Sequence, residues 1–167
     1  MLLTSKEASK KLRELEMEHD YLLSKESQAN TFLAAVNENV EDCRPKYDYQ
    51  KCQDALKIIE SQISKVKHAI NKFNVETIVD GYDKTIDEML VYIPQLTRRC
   101  NKLYQMLDKL PRERCSANMR SSIIDYRYLN YDPDKAKEDY LAAKDELSKA
   151  QIALDKVNVT NKFEIEI

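Results

Sequence analysis

The chain has 167 residues, 43% hydrophobic and 34% charged, with one Gly, four Pro, no Trp and a formal net charge of −2. A single Gly excludes phosphate-cradling loops, nucleophile elbows and dinucleotide fingerprints, all of which need several glycines at fixed offsets. It also argues against β-sandwiches and barrels rich in tight turns, while abundant Lys, Glu, Leu and Ala predict long helices in a single domain over 1–167.

Thr4 and Glu7 have capping-box spacing and open the first predicted helix, over about 5–41. Its stripe runs Ala8, Leu12, Leu15, His19, Leu22, Glu26, Ala29, Leu33, Val36, Val40. Pro45 then restricts its predecessor to extended geometry and ends the pattern. A second helix is predicted over about 48–74, with Asp48 as its cap. The stripe Cys52, Leu56, Ile59, Ile63, Val66, Ile70, Phe73 is the cleanest period in the chain. Asn74 closes that helix, since Asn tolerates the left-handed conformation that ends helices. Asp80-Gly81 marks a tight turn, and Thr77–Val79 suits a short strand.

The third helix is predicted over about 83–110, on Ile86, Met89, Ile93, Leu96, Cys100, Leu103, Leu107 and Leu110. Pro94 inside it removes one backbone donor and predicts a kink. The stretch 112–131 holds Ile123, Ile124, Tyr126, Tyr128 and Tyr131 and reads as an extended arm or hairpin. Asp132-Pro133 supplies the N-cap and first position of a fourth helix, over about 132–158, which Asn158 closes. Its stripe is Ala136, Tyr140, Ala143, Leu147, Ala150, Leu154, Val157. The alternating tail Phe163-Glu164-Ile165-Glu166-Ile167 predicts a half-buried strand over 162–167.

These elements predict an all-α fold. It is an antiparallel four-helix, coiled-coil-like bundle of two helical hairpins, with a small extended region at one end. The first helix outruns the others. Its excess stripe from Ala29 to Val40 needs a partner, which predicts a homo-oligomer assembled through that helix and the extended arm.

Candidate chemistry is sparse. Glu16 and His19 form one Glu-x-x-His, half of what a di-metal carboxylate bundle requires, and His68 lacks the matching Glu. His19 and Glu26 stand on an apolar stripe, where polar groups fix register more often than they bind ligands. Cys43, Cys52, Cys100 and Cys115 include no CxxC pair, so buried free thiols are expected rather than zinc ligands or disulfides. Residues 98–120 carry seven basic side chains against two acidic ones. Arg98, Arg99, Lys102, Arg112, Arg114, Arg120 and Arg127, with Tyr126 and Tyr128, form a candidate anion or interface patch. The opening Met1–Glu7 turns charged at once and no apolar run is long enough to span a bilayer, so a cytoplasmic location is expected.

The second-helix ending Ala69-Ile70-Asn71-Lys72-Phe73-Asn74, followed by Thr77, Asp80 and Gly81, resembles a stretch of a bacterial family of helical proteins sometimes labelled septicolysin. The closing segments Leu147–Ile152 and Leu154–Asn158 are similar to that family's last helix. The resemblance implies a helical, oligomeric fold and carries over no catalytic residue. The residues favour a non-catalytic oligomeric scaffold, without metal or cofactor. The alternative is a nucleic-acid-binding module using the basic-aromatic 98–131 region. The septicolysin label implies a third possibility, a membrane-active toxin, against which the lack of an apolar run weighs.

Overall fold

The structure is a computed structural model and describes residues 1–115 and 124–167. Among these the chain is mostly helical, in the order β1 (Leu2–Thr4), α1 (Ser5–Ala29), α2 (Val40–Cys43), α3 (Tyr49–Glu76), β2 (Ile78–Val79), β3 (Lys84–Thr85), α4 (Ile86–Leu107), β4 (Arg112–Arg114), β5 (Tyr126–Tyr128), α5 (Pro133–Thr160) and β6 (Lys162–Glu164). The extended chain divides into three separate antiparallel pairs, β1 with β6, β2 with β3 and β4 with β5. Two compact units result: Met1–Thr77 with Val157–Ile167, and Ile78–Lys156.

The first unit is built on α1 and α3. Thr4 caps α1 through a complete capping box: its hydroxyl accepts from the Glu7 N–H, and the Glu7 carboxylate accepts from the Thr4 N–H at 2.9 Å. Asp48 caps α3 by accepting from the Lys51 N–H at 3.1 Å. The core cluster joins Ala8 and Leu15 of α1, Val66 of α3 and Ile165 beyond β6. Leu3, Leu12, Ile63, Ile70 and Phe163 pack around it. Phe73 and Phe163 stack at 4.4 Å, a near-parallel geometry that favours offset rings. The ladder pairs Leu3 with Phe163 and Thr4 with Lys162, so Thr4 serves as both strand residue and helix cap.

Helix α1 stops at Ala29, well short of position 41. The cause is local. Asn30 closes the last turn on the Glu26 carbonyl, the Glu38 carboxylate accepts from the Ala35 N–H, and Asn39 caps the short α2. Polar side chains that take backbone donors offer the chain an alternative to helix, which an apolar period does not register. Leu33 and Val36, expected on a helical stripe, lie fully exposed in the connection. The excess-stripe argument for oligomerisation through the end of helix 1 therefore falls.

The helix exits also differ from expectation. Asn74 and Asn158 lie inside the last turns of α3 and α5. Thr77 ends α3 in extended geometry, its N–H on the Phe73 carbonyl, and Asn161 likewise bonds back to Val157. No left-handed cap is needed, because each helix is followed almost at once by a strand.

In the second unit, Asp80-Gly81 forms the turn between β2 and β3, with Gly81 at φ 84° and Asp83 at φ 50°. That hairpin takes up Lys84 and Thr85, so α4 begins at Ile86 and not near 83. Thr85 and Glu88 make a second capping box, at 2.8 and 3.2 Å. Helix α4 continues through Pro94, and the Thr97 hydroxyl donates to the Ile93 carbonyl at 2.9 Å. It is tied to α5 by the Tyr92 hydroxyl donating to Glu146 and by the Tyr104–Tyr140 ring contact. Ala136, Ala143 and Ala150 are buried at seven-residue spacing along α5, small enough to bring a neighbouring backbone close. Asp132 caps α5, accepting from the Asp134 N–H at 2.9 Å.

Replacing Thr85 by Ala removes the N-cap oxygen of α4. It is expected to lower unfolding free energy by about 1 kcal/mol, measured by urea denaturation.

Candidate functional site

The polar residues of the α1 stripe are all engaged with partners on α3 or just before it. Glu16 pairs with Lys67 at 2.8 Å. His19 Nε2 lies 3.3 Å from Glu60 Oε1. A carboxylate only accepts, so this ring nitrogen carries the proton and donates. Glu26 Oε1 accepts from the Tyr47 hydroxyl at 2.6 Å and from the Gln53 side-chain amide at 2.8 Å. Glu16 and His19 thus have separate partners, and both line one open cleft with Glu60, Lys67 and His68. Among the described residues, no group of three or more His, Cys, Asp or Glu is placed to hold a metal.

The Glu26 carboxylate shapes its surroundings. Its hydrogen bond, with burial and its charge, pushes the Tyr47 phenol up to about 12. Burial, followed by the Glu26 charge, pushes the Cys52 thiol up, which disfavours the nucleophilic thiolate. All four cysteines are free, with Cys100 buried.

The basic-aromatic residues divide into two sets. Arg98, Arg99 and Lys102 are exposed on α4. Arg112, Arg114, Tyr126, Arg127 and Tyr128 are exposed on the β4–β5 hairpin. Arg120 lies outside the described residues, as do Ile123 and the rest of 116–123. The hairpin is pinned at its base, where the Tyr131 hydroxyl donates to the Met106 carbonyl and the Leu129 N–H to the Pro111 carbonyl. Its register sets Arg112 opposite Tyr128, Glu113 opposite Arg127 and Arg114 opposite Tyr126.

A feature that sequence reasoning missed is a groove of about 550 Å3 in the first unit, beside the stacked Phe73 and Phe163. Lys65, His68 and Lys72 of α3 line it, facing Glu164 and Glu166 from the C-terminal strand region. The 65, 68, 72 spacing was visible as one helix face. Its apposition to the acidic strand region depends on the β1–β6 pairing, which no local pattern encodes.

No family model and no curated protein matches the chain. Among solved structures, the chain is similar to the crystal structure of a functionally unknown conserved protein from Corynebacterium diphtheriae. The two share 12% identity over 98% of this chain and 100% of that one, with a TM-score of 0.58. At that identity the likeness concerns the fold alone. No helix among the described residues is long and apolar enough to cross a membrane.

The Tyr47–Glu26 bond yields a spectroscopic test. A phenol whose folded pKa is raised contributes stability below its unfolded value, near 10, and loses it as pH rises towards about 12. Ultraviolet titration is expected to show Tyr47 among the tyrosines that ionise late, beside Tyr82 and Tyr92, which burial raises, and Glu26→Gln to bring Tyr47 alone earlier.

Proposed function

We propose that the protein is a non-catalytic cytoplasmic scaffold that associates with a second copy of itself along the α1–α3 seam. The observation that carries this reading is the incomplete cover of that seam. Leu12, Leu22, Ile63 and Ile70 lie on the facing stripes of α1 and α3, yet each is only half-buried. Two packed helices leave the flanks of a broad apolar stripe open, whereas four in coiled-coil-like packing cover them. The four-helix, coiled-coil-like bundle of two hairpins expected from the sequence concerns the helices of a single chain, and the pairing of two α1–α3 seams is proposed in addition to it.

The seam also suits a copy of itself. A two-fold contact sets the same patch against itself, so a Leu/Ile stripe meets a Leu/Ile stripe. The seam's polar groups already have partners within the chain, so closing a second copy over it strands no unpaired charge, which is the costly case. The resemblance to the septicolysin-labelled family fits, since it too implies an oligomeric helical fold.

Light scattering during size exclusion tests this. The expected particle is an integer multiple of the 19.6 kDa chain. Leu22→Glu is expected to reduce it towards one chain while circular dichroism stays helical. A wild-type particle of one chain mass at every concentration overturns the reading.

A further inference from the structure

The β4–β5 hairpin is a ribbon with two chemically different faces. Side chains alternate across a strand, and directly opposed residues share a face. Arg112, Arg114, Tyr126 and Tyr128 therefore occupy one face, and Glu113 and Arg127 the other. The contacts agree with this division. The Arg112 guanidinium lies 3.7 Å from the Tyr126 ring centroid and 5.7 Å from that of Tyr128. On the opposite face Arg127 approaches Glu113 at 3.8 Å. That second face lines a cleft of about 280 Å3 with Lys109, Leu110 and Tyr131, and Tyr128 also borders this cleft.

The two faces differ in charge as well. Arg127 has a carboxylate beside it. Among the described residues, no carboxylate pairs with Arg112 or Arg114. The first face thus presents two uncompensated cations and two phenol rings, all exposed. A guanidinium stacked on a ring keeps its N–H donors at its edge, free for a phosphate oxygen. Tyrosine rings give flat surfaces on which bases stack without regard to sequence, Tyr128 with the more open ring and Tyr126 on the side away from Arg112.

We propose that this face binds single-stranded nucleic acid, with Tyr126 and Tyr128 stacking on bases and Arg112 and Arg114 contacting phosphates. The exposed Arg98, Arg99 and Lys102 of α4 add sequence-independent attraction through the field of the same unit. The proposal is independent of self-association through α1 and α3.

The test is fluorescence anisotropy with a labelled single-stranded oligothymidylate, beside an abasic phosphodiester chain of equal length. The expected result is base-dependent binding that weakens as salt rises. Tyr128→Ala and Tyr126→Ala each cost roughly tenfold in affinity, the scale of losing one stacked base. Removing Arg112 and Arg114 together reduces the steepness of the log–log salt dependence by about 1.4. Arg127→Ala, on the ion-paired face, changes affinity less than twofold. Circular dichroism confirms that each variant stays folded. Equal binding of the abasic chain, with the tyrosine variants unchanged, shows polyanion attraction only and overturns the proposal. Loss of binding from Arg127→Ala comparable to that from Tyr128→Ala overturns the two-face assignment. No salt-sensitive binding by the wild-type chain overturns it altogether.

Discussion

The Glu26 carboxylate, receiving Tyr47 and Gln53 at once, is the interaction on which the rest of the first unit depends. It lies near the end of α1, and its donors lie just before α3 and in that helix's first turns. The bond therefore fixes where the chain must turn back. Once Gln53 stands against Glu26, antiparallel running brings Glu60 to His19 and Lys67 to Glu16. The same register delivers Val66 to the Ala8–Leu15 core and leaves Phe73 where Phe163 of β6 can stack on it. A slip of one residue would rotate every seam side chain off its partner. Apolar stripes alone tolerate such slips, and the polar pairs make them costly.

The candidate ligand groups of α1 take part in these same contacts. His19, Glu26 and Glu16 are the residues on the α1 stripe, or one turn from it, with the chemistry to bind something. Each spends that chemistry on a partner in the same unit. The exposed basic and aromatic residues singled out in the sequence lie elsewhere, on α4 and on a short ribbon held to it through Tyr131 and Pro111. A ribbon of three residues per strand has no core of its own. The side chains of both strands are exposed.

Much of the fold was legible because its causes are local. The Thr4–Glu7 box, the Asp48 and Asp132 caps, the Asp80-Gly81 turn and the stripe of α3 are each encoded within a few residues. The end of α1 was not. From Ala29 to Val40 the apolar period continues, while Glu38 and Asn39 take backbone donors and α3, which starts at Tyr49, has no further turn to pair with it. Asn74 and Asn158 have the residue type of helix caps, but each helix runs on two residues, and α3 exits in extended geometry at Thr77. The Thr85–Glu88 box is equally local, but the β2–β3 hairpin moves the start of α4 past the position near 83 that the apolar period predicts. At the candidate sites, sequence supplied the residues and not their pairing. That Arg112 stacks on Tyr126 while Arg127 faces Glu113 follows from the hairpin register. That Lys65 and Lys72 face Glu164 and Glu166 follows from a strand pair joining distant parts of the chain.

A double-mutant cycle between Glu26 and Tyr47 tests the central claim most directly. Glu26→Ala, Tyr47→Phe and the double variant are compared by thermal and urea unfolding. If the bond sets the α1–α3 register, the two losses are strongly non-additive, and Tyr47→Phe costs little once Glu26 is gone. Losses that simply add would contradict the account, leaving the register to the apolar stripe alone.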